Sequence, residues 1–323
     1  MSSAANPSIT SRAPQVSFMT FDVAVARIER MGDSFVRITF QGDSLEHFHF
    51  AGLDQRIKLV LPNGTAGVSS FPRDTDDWYS AWRNTPEEDR CVLRTYTVRA
   101  SRPELREIDV DFVVHGVSGP ATRWVSEAVV GSELLVIGPD VRSLDPEDDR
   151  VVGGVEFAPG TARRILLAGD ETAAPAICSI LEALPRKSRG QVFIEVPTAA
   201  DILPTAAPGG VTVCWLPRDT RPGLEHGQVL DRAVRAWTSE MMPATNSVDD
   251  AATPGELADV DVDRDILWDV PAAADVETHE LYAWLAGEAA CIKELRRFLV
   301  RDTGLHRSDV AFMGYWRLGR AEN

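Results

Sequence analysis

The chain changes its hydrophobic period near its middle, and that change limits the folds open to it. Through the first half, apolar and polar residues alternate, as in Phe21, Val23 and Val25, and again through residues 35–40 and 56–61. Successive side chains of a strand point to opposite faces, so this period marks strands buried on one side. Further strands are predicted around Arg94, over 108–115 and over 134–137. Gly32-Asp33 and Pro62-Asn63-Gly64 supply turns, and the polar, Trp-bearing stretch 69–89 reads as a loop. One helix interrupts the strands at 119–129, with Ala121, Trp124, Val125 and Ala128 at helical spacing. Short strands separated by turn signals predict a closed antiparallel β-barrel, of Greek-key type.

After Thr161 the pattern is different. Ile165-Leu166-Leu167-Ala168 is a continuous apolar run, followed by Gly169-Asp170 and a helical stretch over 172–184. Strands are predicted over 192–196, 211–216, 280–286 and 310–317, with helices near 228–237 and over 288–302. Apolar strands alternating with helices imply a parallel sheet covered on both faces. The fold class is therefore β + α/β: a disordered start over 1–17, a barrel domain over 18–160, and an α/β domain over 161–323.

Charge narrows the function. The formal net charge is −16, and between Glu240 and Glu280 twelve Asp or Glu face one Arg, marking an acidic insertion near 240–275. A nucleic-acid-binding face needs clustered cations, so that class is excluded. Asp259, Asp261, Asp263 and Asp265 alternate, but an EF-hand loop would need Gly at Arg264 and Glu at Val270. Cys91, Cys178, Cys214 and Cys291 lie far apart without Cys-x-x-Cys spacing, which argues against zinc or an iron–sulfur cluster. No apolar run reaches the roughly 18 residues of a membrane span, so a cytoplasmic protein without membrane insertion, and a monomer, is expected.

Arg94-Thr95-Tyr96-Thr97 carries the strongest chemical signal. On a strand, Arg94 and Tyr96 share one face, offering a guanidinium for a phosphate and an aromatic ring for a planar ligand. Downstream, Gly119-Pro120 opens the predicted helix with small residues, and free N–H groups at a helix start attract phosphate. In the second half, Asp170 and Thr172 follow a strand in a turn that lacks Gly-x-Gly-x-x-Gly, where capping and ligand binding are equally good readings. Arg218 and Arg221, after a later strand, are candidates to meet a 2′-phosphate, with solvated loop arginines as the alternative.

Together with Asp111-Phe112-Val113-Val114-His115-Gly116, Gly169-Asp170-Glu171-Thr172-Ala173 and Gly314-Tyr315-Trp316-Arg317, these motifs resemble the siderophore-interacting protein family. Members are FAD-dependent ferric-siderophore reductases with a ferredoxin-reductase-like architecture, and the resemblance runs from about Thr20 to Arg317. It implies FAD as cofactor, NADPH or NADH as electron donor and a ferric siderophore as substrate. It also assigns the FAD site to Arg94, Thr95, Tyr96, Thr97, Asp111, Phe112, Val113, Val114, His115, Gly116, Gly119, Pro120, Ala121 and Thr122. The turns at Asp170, Thr172 and Ala173 and at Gly287-Glu288 are implied to meet the nicotinamide nucleotide, and Trp316 to lie near the flavin. No catalytic side chain is implied, because the flavin carries the chemistry. Lys58, Arg123 and, less strongly, Arg56 are candidates to steer an anionic ferric siderophore. A general flavin or ferredoxin-type reductase and a non-catalytic siderophore-binding module are the alternatives.

Overall fold

Two sheets build the molecule in a computed structural model, which describes residues 18–63, 67–73, 75, 77–114, 119–143, 153–242, 267–271 and 280–319. The first seventeen residues and most of the acidic insertion lie outside that set.

The first sheet has seven strands: β1 (Phe18–Arg30), β2 (Phe35–Gln41), β3 (Arg56–Leu61), β4 (Val92–Thr97), β5 (Ala100–Arg102), β6 (Glu107–Val113) and β7 (Glu133–Pro139). Their order is β4-β3-β7-β1-β2-β6-β5, and every neighbouring pair is antiparallel. The strands β4 and β5 stand at opposite ends of that order, yet only Val98 and Arg99 join them. Val98 N donates to Gln55 O at 2.9 Å and Arg99 N to Asp109 O at 2.8 Å. One extended segment thus leaves the β3 side and enters the β6 side. Among the described residues no ladder joins the two end strands, so the predicted closed barrel is a half-barrel sheet that the chain itself bridges.

Alternation sorts the side chains as the sequence requires. Phe21, Val23, Ile38, Leu59, Val110 and Phe112 fill the interior. On the other face of β6, Glu107 is forked by Arg27, Asp109 by Arg102 and Asp111 by Arg37. The stretch 69–89, read from sequence as loop, contains a helix, α1 (Trp78–Asn84). Asp77 caps it by accepting from Ser80 N at 3.1 Å, and Trp82 Nε1 donates to Cys91 O at 2.8 Å. Its polar composition hid the helical spacing of Trp78 and Trp82, which share one face. The second helix, α2 (Pro120–Glu127), packs Ala121 and Val125 into the barrel interior.

The second sheet holds β8 (Arg164–Gly169), β9 (Arg189–Val196), β10 (Gly210–Pro217), β11 (Trp268–Asp269), β12 (Leu281–Glu288) and β13 (Val310–Trp316). Helices α3 (Ala174–Ala183), α4 (Gln228–Met241) and α5 (Ala289–Arg297) connect and cover it. The order is β10-β9-β8-β12-β13-β11. All ladders are parallel except that of β11 with β13, so the predicted parallel sheet is mixed. That edge strand arises within the segment read as a solvated acidic insertion, where Trp268 packs against the sheet.

From β8 the chain proceeds outward to β9 and β10, then crosses to the other side for β12 and β13. The strand order therefore reverses between β8 and β12. In an open α/β sheet, the crevice at the carboxyl ends of such a pair is the place where ligands bind. Here those ends are Gly169-Asp170 and Gly287-Glu288.

The junction between the sheets is polar and specific. Asp54, fully buried after the barrel's first hairpin, accepts from Phe157 N, Glu156 N and Trp284 Nε1. Arg99 forks Glu182 of α3 at 2.7 and 2.6 Å, and Asp201 accepts from Ser34 N at 2.6 Å.

Candidate functional site

On the barrel side the site is built around β4. Arg94 lies opposite Leu59 and Tyr96 opposite Ile57, so both face the interior side of the sheet. Tyr96 packs on Phe112 with ring centroids 4.5 Å apart, and Phe112 in turn meets Trp124 of α2 at 6.3 Å. Gly119, which precedes α2, donates its N–H to Thr122 Oγ1 at 3.0 Å, and that hydroxyl donates back to Gly119 O. The helix start is thereby fixed beside the aromatic cluster, while its first-turn N–H groups lack intrahelical partners.

Arg94 differs from the arginines that line the outer face of the barrel sheet. Among the described residues its guanidinium has one hydrogen bond, to Leu93 O at 2.8 Å. Arg27, Arg37, Arg99 and Arg102 all grip carboxylates. A half-buried cation without a carboxylate, an aromatic face and a helix start fit the phosphate and ring of FAD. Thr97 is buried beside Arg56 on the opposite face, and Thr95 is exposed.

Several expected FAD residues stand elsewhere. The carboxylate of Asp111 points away from Phe112 and is held by Arg37 at 2.7 and 2.9 Å, with Arg99 at 4.0 Å. It serves the charged outer face. Val113 packs toward the core of the second sheet, while Val114 stays with the barrel. His115 and Gly116 lie outside the described residues.

The second half of the site is the switch-point crevice. Asp170 is buried and accepts four hydrogen bonds. Thr172 N at 2.9 Å and Thr172 Oγ1 at 2.6 Å meet Oδ1, while Glu288 N and Trp316 Nε1, each at 2.8 Å, meet Oδ2. Burial, reinforced by the charge of Glu171, raises its pKa. Asp170 closes its own turn through Thr172 and does not cap α3, whose N-cap Ala173 has no side-chain cap; the same carboxylate also ties β8 to β12 and β13. Ala173 is buried beneath this turn, where a Cβ on Gly169 would come within 2.5 Å of its own Cβ. Gly287 is required beside Asp170: its φ is +149°, and a Cβ there would lie 2.7 Å from the carboxylate. Glu288 caps α5 by accepting from Ala290 N and Cys291 N.

Beside Asp170 lies a buried ionic group that sequence reasoning missed. Glu171 is forked by Arg218 at 2.8 and 2.9 Å. Glu195 accepts from Arg218, from Gly227 N at 2.7 Å and from Leu230 N at 2.8 Å. His226 Nε2 stands 3.5 Å from Asp170 and 3.6 Å from Glu171. Arg218 is therefore engaged by two carboxylates, whereas Arg221 on the following turn is exposed. One signal was present: Glu195 interrupts the apolar run Val192-Phe193-Ile194-Val196, and an acid in such a run must be paired.

The three substrate cations are not equivalent. Arg56 pairs with Glu156, and its guanidinium lies 4.4 Å over the Trp268 ring, so it is committed to the junction. Lys58 lies opposite Thr95, 3.3 Å from its hydroxyl, on the face away from Arg94. Arg123 is exposed on α2, the helix that covers the Tyr96 side.

The two sheets meet across the other face of β4. Arg56, next to Thr97, stacks on Trp268; Trp268 stacks on Tyr315 at 5.9 Å; and Tyr315 precedes Trp316, whose indole is bound to Asp170. A barrel with a cationic, aromatic cradle joined to an α/β crevice defines a two-domain flavin-dependent reductase fold. Comparison with known proteins agrees. The model of the siderophore-interacting FAD-binding domain matches residues 24–143, and that of the siderophore-interacting protein matches residues 162–319. Ferric vibriobactin reductase ViuB of Vibrio cholerae is 28% identical over 296 residues, 92% of this chain and 89% of that protein. An uncharacterized protein of Mycobacterium tuberculosis is 30% identical over 306 residues, 94% and 91% of the respective chains. The crystal structure of a siderophore utilization protein from T. fusca superposes with a TM-score of 0.66 at 25% identity, covering 96% of this chain and 97% of that one. The chain belongs to the siderophore-interacting protein family, whose fold is that of the ferredoxin reductases.

Proposed function

We propose that the protein is an FAD-dependent ferric-siderophore reductase of the cytoplasm that draws electrons from NADPH or NADH. The observation that carries this reading is the setting of Arg94. It is a barrel arginine without a carboxylate partner among the described residues, on the Tyr96 face of the sheet, the face that α2 packs against.

In this reading Arg94 and the N–H groups at the start of α2 bind the pyrophosphate, and Tyr96 lies along the planar ring system. FAD bound there supplies the conversion of a two-electron donor into single electrons for ferric iron. Asp170, Gly287 and Glu288 shape the crevice for the nicotinamide nucleotide, with Trp316 between that crevice and the barrel. Arg123 draws an anionic ferric siderophore toward the exposed side of α2. Hard oxygen donors hold Fe(III) better than Fe(II), so reduction loosens the iron.

The decisive experiment combines the spectrum of the purified protein with anaerobic addition of NADPH or NADH and a ferric siderophore, ferrous iron being trapped by a chelator. A flavin spectrum that bleaches with the nucleotide and recovers with the siderophore, with ferrous chelate formed, is the expected result. A colourless protein that binds no added FAD refutes it. A flavin that reduces free flavin but no siderophore turns the reading toward a general flavin reductase.

A further inference from the structure

We propose that His226 is a positioning residue that fixes the indole of Trp316 at the switch-point crevice. Trp316 is the last residue of β13, and its Nε1 is held by Asp170 Oδ2 at 2.8 Å. One hydrogen bond fixes the tip of an indole but leaves the plane of the ring free to turn about it. The second constraint comes from His226, whose ring meets Trp316 edge to face, with centroids 5.1 Å apart and planes at 81°. Aromatic rings prefer that arrangement over a face-to-face sandwich.

His226 is itself held from two sides. Its Nε2 lies between Asp170 Oδ2 at 3.5 Å and Glu171 Oε2 at 3.6 Å, without a closer partner. The next residue, Gly227, donates its N–H to Glu195 and has φ +81°; a Cβ there would lie 2.9 Å from Cys291 Sγ. The backbone that carries the imidazole is therefore pinned between β9 and α5.

The charges around the ring favour a proton on it. The turn after β8 contributes Asp170 and Glu171, β9 contributes Glu195, and Glu288 and Cys291 stand at the start of α5; Arg218 is the cation among them. Trp316 brings no charge. Burial works against the imidazolium, but the neighbouring carboxylates of Glu171 and Asp170 outweigh it and raise the pKa above its ordinary value. The same carboxylate oxygen of Asp170 thus faces both His226 and the Trp316 indole. Loss of the proton weakens the hold of the carboxylates on His226 and, through the ring contact, on Trp316.

The consequence for turnover rests on the function proposed above. A planar nucleotide ring that enters the crevice meets the Trp316 indole, so a loosened indole weakens the nucleotide arm and leaves the siderophore arm intact.

The test uses the full chain loaded with FAD and labelled with ¹⁵N. The Trp316 indole N–H resonance is assigned by its absence in Trp316→Phe and followed from about pH 6 to about pH 9, the range in which a raised histidine titrates. In the wild type it moves with a midpoint above 6.5; in His226→Gln and His226→Asn the movement is absent. Persistence of the titration in both variants, or an indole resonance that never moves, overturns the proposal. Kinetics supply the second readout. His226→Gln raises KM for the nucleotide about tenfold, while reoxidation of pre-reduced enzyme by ferric siderophore is unchanged. In the Trp316→Phe background the same substitution adds less than about twofold, because its effect passes through the indole. Independent losses that multiply overturn the positioning role. Should the protein fail to oxidise any nicotinamide nucleotide, the proposed function falls, and the resonance experiment still decides whether His226 sets Trp316.

Discussion

Asp54 and Trp284 join the two halves of the molecule: the buried carboxylate accepts the indole N–H at 3.0 Å across the junction. Asp54 also receives Phe157 N and Glu156 N from the connecting segment, so one side chain fastens barrel, connector and sheet. Burial raises its pKa despite these bonds.

Asp54→Ala leaves the Trp284 indole and two backbone donors without their acceptor. Each unsatisfied buried donor costs about 1–3 kcal/mol, so a clear fall in stability is expected, measured by urea unfolding. Because the native pKa is raised, the contribution of Asp54 is fully present below its ordinary value of 3.8 and is lost as pH rises through the native value. The loss caused by the substitution should therefore be smaller at neutral pH than in mild acid. An identical loss at both would contradict this assignment.

Arg94→Ala removes a barrel arginine on the Tyr96 face that has no carboxylate partner among the described residues. A hydrogen bond to a charged group is worth about 1.5–3 kcal/mol, so FAD affinity should drop about tenfold or more, read by flavin fluorescence on titration. Unchanged affinity places the phosphate elsewhere.

Arg218→Ala leaves Glu171 and Glu195 buried without their shared cation. Removing one partner of a buried ion pair costs about 3–5 kcal/mol. The melting temperature should fall by many degrees, with little recovered by Arg218→Lys, which cannot make the fork. A melting temperature equal to wild type would show that the pair contributes nothing net.

Arg123→Gln and Lys58→Gln separate the two sides of β4. On the proposed reading, Arg123→Gln lowers kcat/KM for an anionic ferric siderophore and flattens its salt dependence, since exposed charges are screened over about 10 Å at 0.1 M salt. Lys58 faces away from Arg94, so Lys58→Gln should leave both unchanged. The opposite pattern would move the approach path to the outer face.

The order and type of most elements could be read from the chain, because period and turn residues decide them locally. The strand at Arg94 also showed which side chains share a face, since alternation is a local property. What stayed hidden depends on pairing at a distance. Arg56 reads as a surface cation, and only the return of Trp268 from the insertion shows it committed to the junction. Asp111 belonged to a recognisable motif, yet its partner Arg37 is 74 residues away and turns it from the Tyr96 face. His226 sits in a polar loop with no periodic context, and its meaning comes from Asp170 and Trp316, which are brought to it by the strand order. Helix α1 was hidden because its polar residues outnumber the aromatic anchors that hold it.

The short antiparallel β11 has a consequence beyond the site. It pairs with Met313 and Phe312 of β13, and Leu267 O accepts from Gly314 N at 2.7 Å, so it covers the outer edge of the strand that ends in Trp316. An uncovered edge is a template for strand addition from another molecule. Leu267, Trp268 and Asp269 therefore guard that edge against self-association, and a chain shortened across them would expose the most apolar part of β13 to its own copies.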